Sequence, residues 1–262
     1  MISRDELKRK FGKEHLSYSS LKYALGDMKN FELYMKGELK FESAALEFGT
    51  MYDMLLFEPE KAHDTYATID DHAIMEKLSD KARTSKKPKL TSEYKAHVSA
   101  LKTEALENGK TLVEYPSWKQ ALDMIERLKA CGLQGSHLKG KYQVEFNTEL
   151  HGVPVKGFLD CLGDDYISDS KSTMSVKKFR YSVRDFNYDI QAYIYTQVFD
   201  IKKFYWVVQE KSKPYTPALV ECSDSTLFSG EMNFFEAMRK IRRYLDQGEE
   251  YDPTTEYMQF EV

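Results

Sequence analysis

Residues 141–195 read KYQVEFNTELHGVPVKGFLDCLGDDYISDSKSTMSVKKFRYSVRDFNYDIQAYIY, and the rest of the chain is interpreted around them. Segments rich in β-compatible residues follow one another here, and turn-forming residues separate them. We predict strands near 142–149, 153–162 and 165–171, and the last two form a hairpin. Apolar runs predict two further strands, near 203–210 and 216–222.

Three acidic residues lie on the first three strands: Glu145, Asp160 and Asp169. Because strand side chains alternate, Asp169 and Lys171 share one face and Ser170 points away. The hairpin brings Asp160 back alongside Asp169. Two carboxylates and an ammonium then converge, which suits a Mg²⁺ site with a charge-stabilising lysine. The alternative is a solvated hairpin whose charges form surface ion pairs worth about 0–1 kcal/mol each.

A polar helix is predicted next, over residues 187–200. It presents Gln191 and Tyr195 one turn apart on the same face. These side chains could hydrogen-bond a substrate phosphate or orient Lys171. The alternative is an ordinary half-buried amphipathic helix.

The combined pattern resembles the PD-(D/E)xK nuclease superfamily, in the branch with the RecB-type nuclease motif. That branch has an acid on one strand, then Gly-x-x-Asp, Asp-x-Lys, and Gln-x-x-x-Tyr on a helix. This chain has Glu145, then GFLD at 157–160, DSK at 169–171 and QAYIY at 191–195. Within the branch the chain is most similar to RecE-type exonucleases (the exonuclease VIII nuclease domain) and their phage relatives.

The resemblance implies an α/β fold with a mixed central β-sheet flanked by helices, a restriction-endonuclease-like core, and an α-rich N-terminal part. We expect a single domain over residues 1–262. Within it, residues 1–140 would be mainly helical, 141–222 would form the catalytic sheet core, and 223–262 would form a C-terminal helix and an acidic tail.

The resemblance also implies roles for the site residues. Asp160 and Asp169 would bind Mg²⁺ or Mn²⁺ together with the backbone carbonyl of Ser170, and Glu145 would hold a second metal ion or a metal-bound water. Lys171 would position and activate the nucleophile. Gln191 and Tyr195 would support these groups.

A further metal ligand is expected from the segment after Phe48-Gly49-Thr50, which resembles a RecE-type helix. The family commonly has a metal-facing histidine one turn later, and this chain has Asp53 there. Asp53 could replace the histidine as an oxygen ligand. The role could also have been lost, or passed to a nearby residue, and Asp53 would then be an ordinary helix acid.

Candidate DNA contacts come from two kinds of residue. Ser17 and Ser19 match a Ser-x-Ser-x-Leu segment of RecB-type nucleases, although helix capping alone would explain them. The net charge is −4, but basic residues cluster at 77–89 and 171–184. A basic track on an acidic body suits DNA binding, and the alternative is a solvated face. The basic residues proposed to contact DNA are Lys86, Lys87, Lys177, Lys178, Arg180 and Arg184.

Composition excludes several other classes of protein. The chain is 42% hydrophobic and 31% charged, and no run approaches the roughly 18 apolar residues of a membrane span. The N-terminus has no apolar signal core, so we expect a cytoplasmic protein without a membrane partner. Three unpatterned cysteines, Cys131, Cys161 and Cys222, predict neither a zinc site nor a disulfide framework. They are also too few for the iron–sulfur cluster that some relatives hold.

The function implied by the resemblance is Mg²⁺-dependent exonuclease activity on linear double-stranded DNA. The direction would be 5′ to 3′, leaving a 3′ single strand for a recombination partner such as a single-strand annealing recombinase. Relatives form rings around DNA, so a homo-oligomer is expected. Two alternatives stay open: an endonuclease or single-strand nuclease with the same centre, and a non-catalytic DNA-binding protein that retains the fold.

Overall fold

The computed structural model describes residues 1–39 and 43–247. The α-helices are α1 Arg4–Phe11, α2 Tyr18–Gly26, α3 Met28–Lys36, α4 Ala44–Phe57, α5 Pro59–Thr65, α6 Asp71–Lys77, α7 Asp80–Arg83, α8 Ser92–Glu107, α9 Tyr115–Ala130, α10 Leu133–His137, α11 Phe179–Asp185, α12 Tyr188–Phe199 and α13 Asp224–Asp246. The β-strands are β1 Tyr66–Ile69, β2 Thr111–Glu114, β3 Lys141–Leu150, β4 Val153–Leu162, β5 Tyr166–Thr173, β6 Lys203–Glu210 and β7 Pro217–Glu221. Short 3₁₀ turns cover Pro88–Leu90 and Val176–Lys178. The predicted acidic tail lies outside the described residues from position 248 onward.

The chain divides into two compact units. The sheet unit combines residues 1–42 with residues 132–262, and the helical unit comprises residues 43–131. Helices α1 to α3 therefore belong to the sheet unit, although they lie far from its strands in sequence. The expectation of a single domain over residues 1–262 stays a prediction.

The sheet unit contains a five-stranded sheet with the order β3-β4-β5-β6-β7. Strand β5 runs parallel to β6, whereas the other neighbouring strands are antiparallel. This arrangement confirms the predicted mixed sheet. The predicted strand boundaries agree with the observed ones to within two residues, because alternating side chains and turn residues are strong local signals.

Strands β4 and β5 are paired only near their turn. The register joins Cys161 to Ser168 and Leu162 to Ile167, whereas β5 pairs with β6 along its full length. Strand β4 thus separates from β5 at the next positions, Asp160 and Asp169. We call this separation the strand fork, and it is where the predicted acids lie.

The edge of β4 that β5 leaves open is covered by the segment before α2. Leu16 forms a parallel bridge with Val155. The N–H of Leu16 donates to the carbonyl of Pro154 at 2.9 Å, and the N–H of Lys156 donates to the carbonyl of Leu16 at 2.8 Å. Backbone groups that would otherwise lack partners are satisfied in this way. The N-terminal segment is thereby fixed beside the strand fork.

The main core of the sheet unit lies between the sheet and its helices. Helix α12 is buried along most of its length and packs in this core with α13. The largest fully buried side chains of the core include Trp206, Phe31, Phe179, Phe204, Phe234 and Tyr244. Burial of this apolar surface is the main stabilising contribution to the fold.

The helical unit has its own small apolar cluster. Strands β1 and β2 form a parallel pair, with Tyr66 opposite Thr111 and Ile69 opposite Glu114. The buried residues of this cluster are Ile69, Ile74, Leu78, Ala82 and Tyr94. Among the described helices of both units, none is long and apolar enough to cross a membrane.

Helices α12 and α13 approach each other closely at Gly230. A Cβ atom at this position would lie 2.1 Å from the carbonyl oxygen of Asp189 on α12. Nearby, Asn233 donates to the Asp189 carboxylate at 2.8 Å. This contact holds the helix that carries Gln191 and Tyr195 against α13.

We expect Gly230→Ala to lower the free energy of unfolding by about 1–3 kcal/mol, because the added methyl group overpacks the α12–α13 contact. Gly26→Ala is the control, since a Cβ atom there meets nothing within 4 Å, and it should change stability by less than about 1 kcal/mol. Urea unfolding of both variants measures the difference. Equal stability of the two variants would contradict the close contact.

Candidate active site

Asp160 lies at the strand fork, where backbone pairing between β4 and β5 has stopped. Its carboxylate, and not a backbone carbonyl, accepts a hydrogen bond from β5. Oδ2 accepts a hydrogen bond from the N–H of Ser170 at 2.8 Å. Oδ1 lies 3.5 Å from Nε2 of Gln143, which donates to it. A carboxylate held by a backbone N–H has a fixed direction, so its outer lone pairs can face a ligand.

Asp169 lies beside Asp160, and its side chain is almost completely buried. Its Oδ1 accepts a hydrogen bond from Nε2 of Gln191 at 2.8 Å. Its Oδ2 forms an ion pair with the ammonium of Lys171. The same Gln191 nitrogen also lies 3.4 Å from the hydroxyl of Tyr195. The structure therefore brings together the predicted acid, lysine, glutamine and tyrosine.

Lys171 is half-buried and lies over an aromatic ring. Its Nζ is 5.0 Å from the ring centroid of Tyr188, the first residue of α12. Such a cation–π contact favours the charged form of the lysine. Tyr188 was not predicted as a site residue, because nothing in its local sequence distinguishes it from a core tyrosine.

Gln143 is a second site residue that was not predicted. This residue lies between the register pairs Tyr142–Cys161 and Val144–Leu159, which places it opposite Asp160. Its φ of 49° is in the left-handed region, which is unfavourable for a residue with a Cβ atom. Strained residues of this kind cluster at functional sites. No sequence signal indicates a positive φ at a glutamine within a strand.

The surroundings of Asp160 favour its protonated form. The pKa of Asp160 is raised from its ordinary value of 3.8 to about 7, first by burial and second by the charge of Asp169. The charge of Lys171 and the hydrogen bonds from Ser170 and Gln143 act in the opposite direction. The site therefore holds two acids that repel each other in a poorly solvated position.

The pKa of Lys171 is raised above its ordinary value. Burial acts to lower it, but the charges of Asp169 and Asp160 outweigh that effect. Lys171 is consequently an ammonium at neutral pH. In this form it donates hydrogen bonds and opposes negative charge on a neighbouring group.

These residues fit a hard divalent cation. Asp160 and Asp169 supply oxygen ligands, and a bound cation would relieve their mutual repulsion. Oε1 of Gln191 and Oγ of Ser170 are buried without a hydrogen-bond partner in the described part of the chain. Within residues 1–39 and 43–247 no group of three or more His, Cys, Asp or Glu side chains is placed to hold a metal ion. Two carboxylates are nevertheless sufficient for Mg²⁺, which keeps waters and substrate oxygens as its other ligands.

Glu145 lies two residues along β3 from Gln143, and its carboxylate is half-exposed. It forms an ion pair with Nζ of Lys156 at 2.8 Å. Its position opposite Phe158 places it on the same face as that residue. Its role as a ligand of a second metal ion or of a metal-bound water stays a prediction. Lys156, its partner, was not predicted as a site residue.

The two predicted serines lie close to the active-site helix. Ser17 is the N-cap of α2, and its hydroxyl accepts from the N–H of Ser20 at 3.3 Å. This is the capping role that the sequence left open. Ser17 and Ser19 also line a cavity with Gln191 and Tyr195. The position of Ser17 is therefore compatible both with capping of α2 and with the predicted contact with DNA.

The remaining predicted residues are located as follows. The basic residues of the sheet unit proposed to contact DNA are exposed, in the 3₁₀ turn after β5 and in α11: Lys177, Lys178, Arg180 and Arg184. In the helical unit, Lys86 and Lys87 are exposed, and Asp53 is half-buried on α4. Their roles in binding DNA or metal stay predictions.

Fold and site together define a PD-(D/E)xK-type protein. The model of the family described as a PDDEXK-like domain of unknown function, DUF3799, matches residues 17–257. The chain belongs to this family. The predicted superfamily is thereby confirmed.

Comparison with solved structures agrees at the level of the fold. A crystal structure of a candidate exonuclease from Eubacterium rectale superposes with a TM-score of 0.58 at 16% identity, and the alignment covers 100% of this chain and 96% of that one. The structure of SSO0001 aligns over 78% of this chain and 88% of its own at 16% identity, with a TM-score of 0.30 that is too low to support an argument. No curated protein matches the chain.

We expect Asp160→Asn to stabilise the metal-free protein at pH 8. An acid with a raised folded-state pKa contributes stability that is fully present below its ordinary value of 3.8 and lost as the pH rises through about 7. Asparagine removes the repulsion and keeps an oxygen for the N–H of Ser170. The variant should exceed wild type by about 1–3 kcal/mol at pH 8 in EDTA, and the difference should vanish near pH 4.

Thermal and urea unfolding across this pH range measure the effect, and added Mg²⁺ should stabilise wild type more than the variant. Asp165→Asn is a matched control, because its exposed carboxylate pairs with Lys203 and its pKa is lowered by that pairing. This control should be neutral or slightly destabilising at pH 8. If Asp160→Asn is no more stable than wild type in EDTA at pH 8, the repulsion between the two acids is not significant.

Proposed function

We propose that the protein is a metal-dependent deoxyribonuclease that degrades linear double-stranded DNA from its ends, with Mg²⁺ or Mn²⁺ as cofactor. The observation that carries the proposal is the cluster of Asp160, Asp169 and Lys171 at the strand fork. Membership of a PDDEXK-like family supports it. The fold shared with a candidate exonuclease is consistent with it.

Each residue of the cluster has a defined task in phosphodiester hydrolysis. Asp160 and Asp169 would hold the cation, with the carbonyl of Ser170 as a proposed further ligand. When bound, the cation polarises the scissile phosphate and lowers the pKa of a water molecule. The ammonium of Lys171 opposes the negative charge that develops on the phosphate and orients the attacking water through a hydrogen bond.

Helix α12 keeps one acid of this cluster, Asp169, in place. The hydrogen bond from Gln191 fixes the orientation of Asp169, and Tyr195 lies within reach of the same amide nitrogen. Burial raises the pKa of Tyr195, so its hydroxyl remains protonated and can donate. These positioning contacts are stronger in a site from which water is largely excluded.

The finer features of the proposal follow the RecE-type resemblance. They comprise 5′-to-3′ polarity, a 3′ single-stranded product for a single-strand annealing recombinase, and assembly into a homo-oligomeric ring. Topological enclosure of DNA would explain processive degradation by a chain whose net charge is −4.

We expect Lys171→Ala to lower the rate of DNA cleavage by roughly 10²-fold or more, because a preorganised charge at the phosphate is lost. Linear duplexes labelled at the 5′ or the 3′ end, together with nicked and closed circles, are digested with Mg²⁺, Mn²⁺ or EDTA. The matched control is Lys203→Ala, whose lysine forms an exposed ion pair with Asp165 at the far end of the sheet register. It should cut like wild type.

Metal-dependent loss of the 5′ label from linear DNA alone, abolished only by Lys171→Ala, is the expected result. Cutting of closed circles would replace the exonuclease assignment with an endonuclease that uses the same centre. Binding of DNA without cleavage in either metal would contradict the catalytic assignment and favour a non-catalytic DNA-binding protein.

A further inference from the structure

A cavity of about 570 Å³ lies directly beside the active-site residues of the sheet unit. Gln191 and Tyr195 form part of its wall, and Gln191 is hydrogen-bonded to Asp169. The rest of the wall comes from residues 13–19 and from residues 156–158 of β4. Its volume falls in the range of small-ligand pockets, about 300–1,000 Å³. The cavity arises because Leu16, not β5, covers this edge of β4.

The cavity carries an exposed aromatic side chain. Phe158 is 48% exposed, although phenylalanine is usually buried. It lies two residues before Asp160 on the same strand, so both side chains point to the same face. An exposed aromatic ring beside a phosphodiester-cutting centre offers a stacking surface to a base, and such stacking is independent of base identity.

Positive charge lies next to this ring. Nζ of Lys156 is 5.8 Å from the ring centroid of Phe158, and Lys13 also lines the cavity. Glu145 pairs with Lys156 at 2.8 Å, and the ammonium of Lys13 donates to the carbonyl of Tyr34 at 3.0 Å. Glu14, which also lines the cavity, pairs with Lys8 at 2.6 Å. The ion pair of Lys156 is exposed and therefore weak, so a phosphate can compete for the ammonium.

One residue of the cavity wall, Gln191, has a buried hydrogen-bond acceptor. Gln191 is 7% exposed, and its Oε1 has no hydrogen-bond partner within the described residues. A buried amide oxygen left unpaired is unfavourable. Oε1 itself is buried, so a hydrogen-bond donor that enters the cavity reaches it only if the side chain reorients.

We propose that this cavity binds one unpaired nucleotide of the cleaved strand, with its base stacked on Phe158 and its phosphate beside Lys156. The proposal rests on the proposed nuclease function and defines the form of its substrate. Because the terminal base must leave the duplex to reach the ring, frayed or unpaired ends bind better than blunt paired ends. Phe158 is then a specificity-determining residue outside the catalytic cluster.

The test measures binding with the Asp160→Asn variant, which should not cut DNA. Fluorescence anisotropy is recorded for hairpin duplexes whose terminal unpaired nucleotide carries either a base or an abasic tetrahydrofuran residue. We expect the base-containing end to bind roughly tenfold more tightly than the abasic end. Adding Phe158→Ala should weaken binding of the base-containing end by the same factor and leave the abasic end unchanged. Phe158→Trp should restore the preference.

The matched control is Phe228→Ala in the same background, since Phe228 is also exposed but lies on α13 outside the cavity wall. It should bind both ends as the parent does. If Phe158→Ala and the abasic substitution weaken binding independently and their effects multiply, Phe158 does not contact that base and the proposal is wrong. If the parent binds DNA but Phe158→Ala binds equally well, the proposal also fails while the nuclease function stands. Failure of the parent and of wild type to bind any DNA would overturn both.

Discussion

The hydrogen bond from the N–H of Ser170 to the carboxylate of Asp160 joins two strands that have stopped pairing through their backbones. In an ordinary hairpin the backbone hydrogen bonds between the two strands would continue here, and no gap would separate β4 from β5. The fork instead replaces one backbone acceptor by a carboxylate, which satisfies the buried N–H while bringing negative charge beside Asp169. The geometry of the candidate metal centre therefore follows from a change in strand pairing, and the acids do not require a flexible loop to meet.

This arrangement has a cost in stability that the surrounding structure must offset. Two neighbouring carboxylates in a poorly solvated position destabilise the folded protein until a cation or a proton is bound. Lys171 compensates only part of the charge. Helix α12 also helps, because its Gln191 donates a hydrogen bond to Asp169 and holds that carboxylate in place. Helix α12 is itself fixed by the close approach of Gly230 to Asp189. The contact at Gly230 is remote from the two acids, yet it keeps α12 and its Gln191 in position. Charged sites commonly depend on a rigid scaffold in this way.

Much of this arrangement could be predicted from local sequence, and the remainder depends on contacts that sequence alone does not specify. Alternation of side chains was sufficient to place Asp169 and Lys171 on one face, and helical spacing was sufficient to pair Gln191 with Tyr195. The positive φ of Gln143 and the packing of Lys171 on Tyr188 depend on register and tertiary packing, which a residue pattern does not encode. The pairing of Glu145 with Lys156 was missed for a related reason, since the cross-strand partner of a surface acid is decided by register.

The strand fork also relates the catalytic cluster to the cavity beside it. Where β5 leaves β4, Leu16 covers the open edge, and the chain on either side of Leu16 forms one wall of the space next to Gln191. The same departure from regular pairing therefore produces both the proposed cation site and the proposed nucleotide site. The electrostatics of the two places differ, because the acids of the fork repel a phosphate whereas Lys156 and Lys13 attract one. In the proposed complex, a DNA strand in the cavity would lie beside Lys156 and Lys13, and a bound cation would bring its phosphate to Asp160 and Asp169.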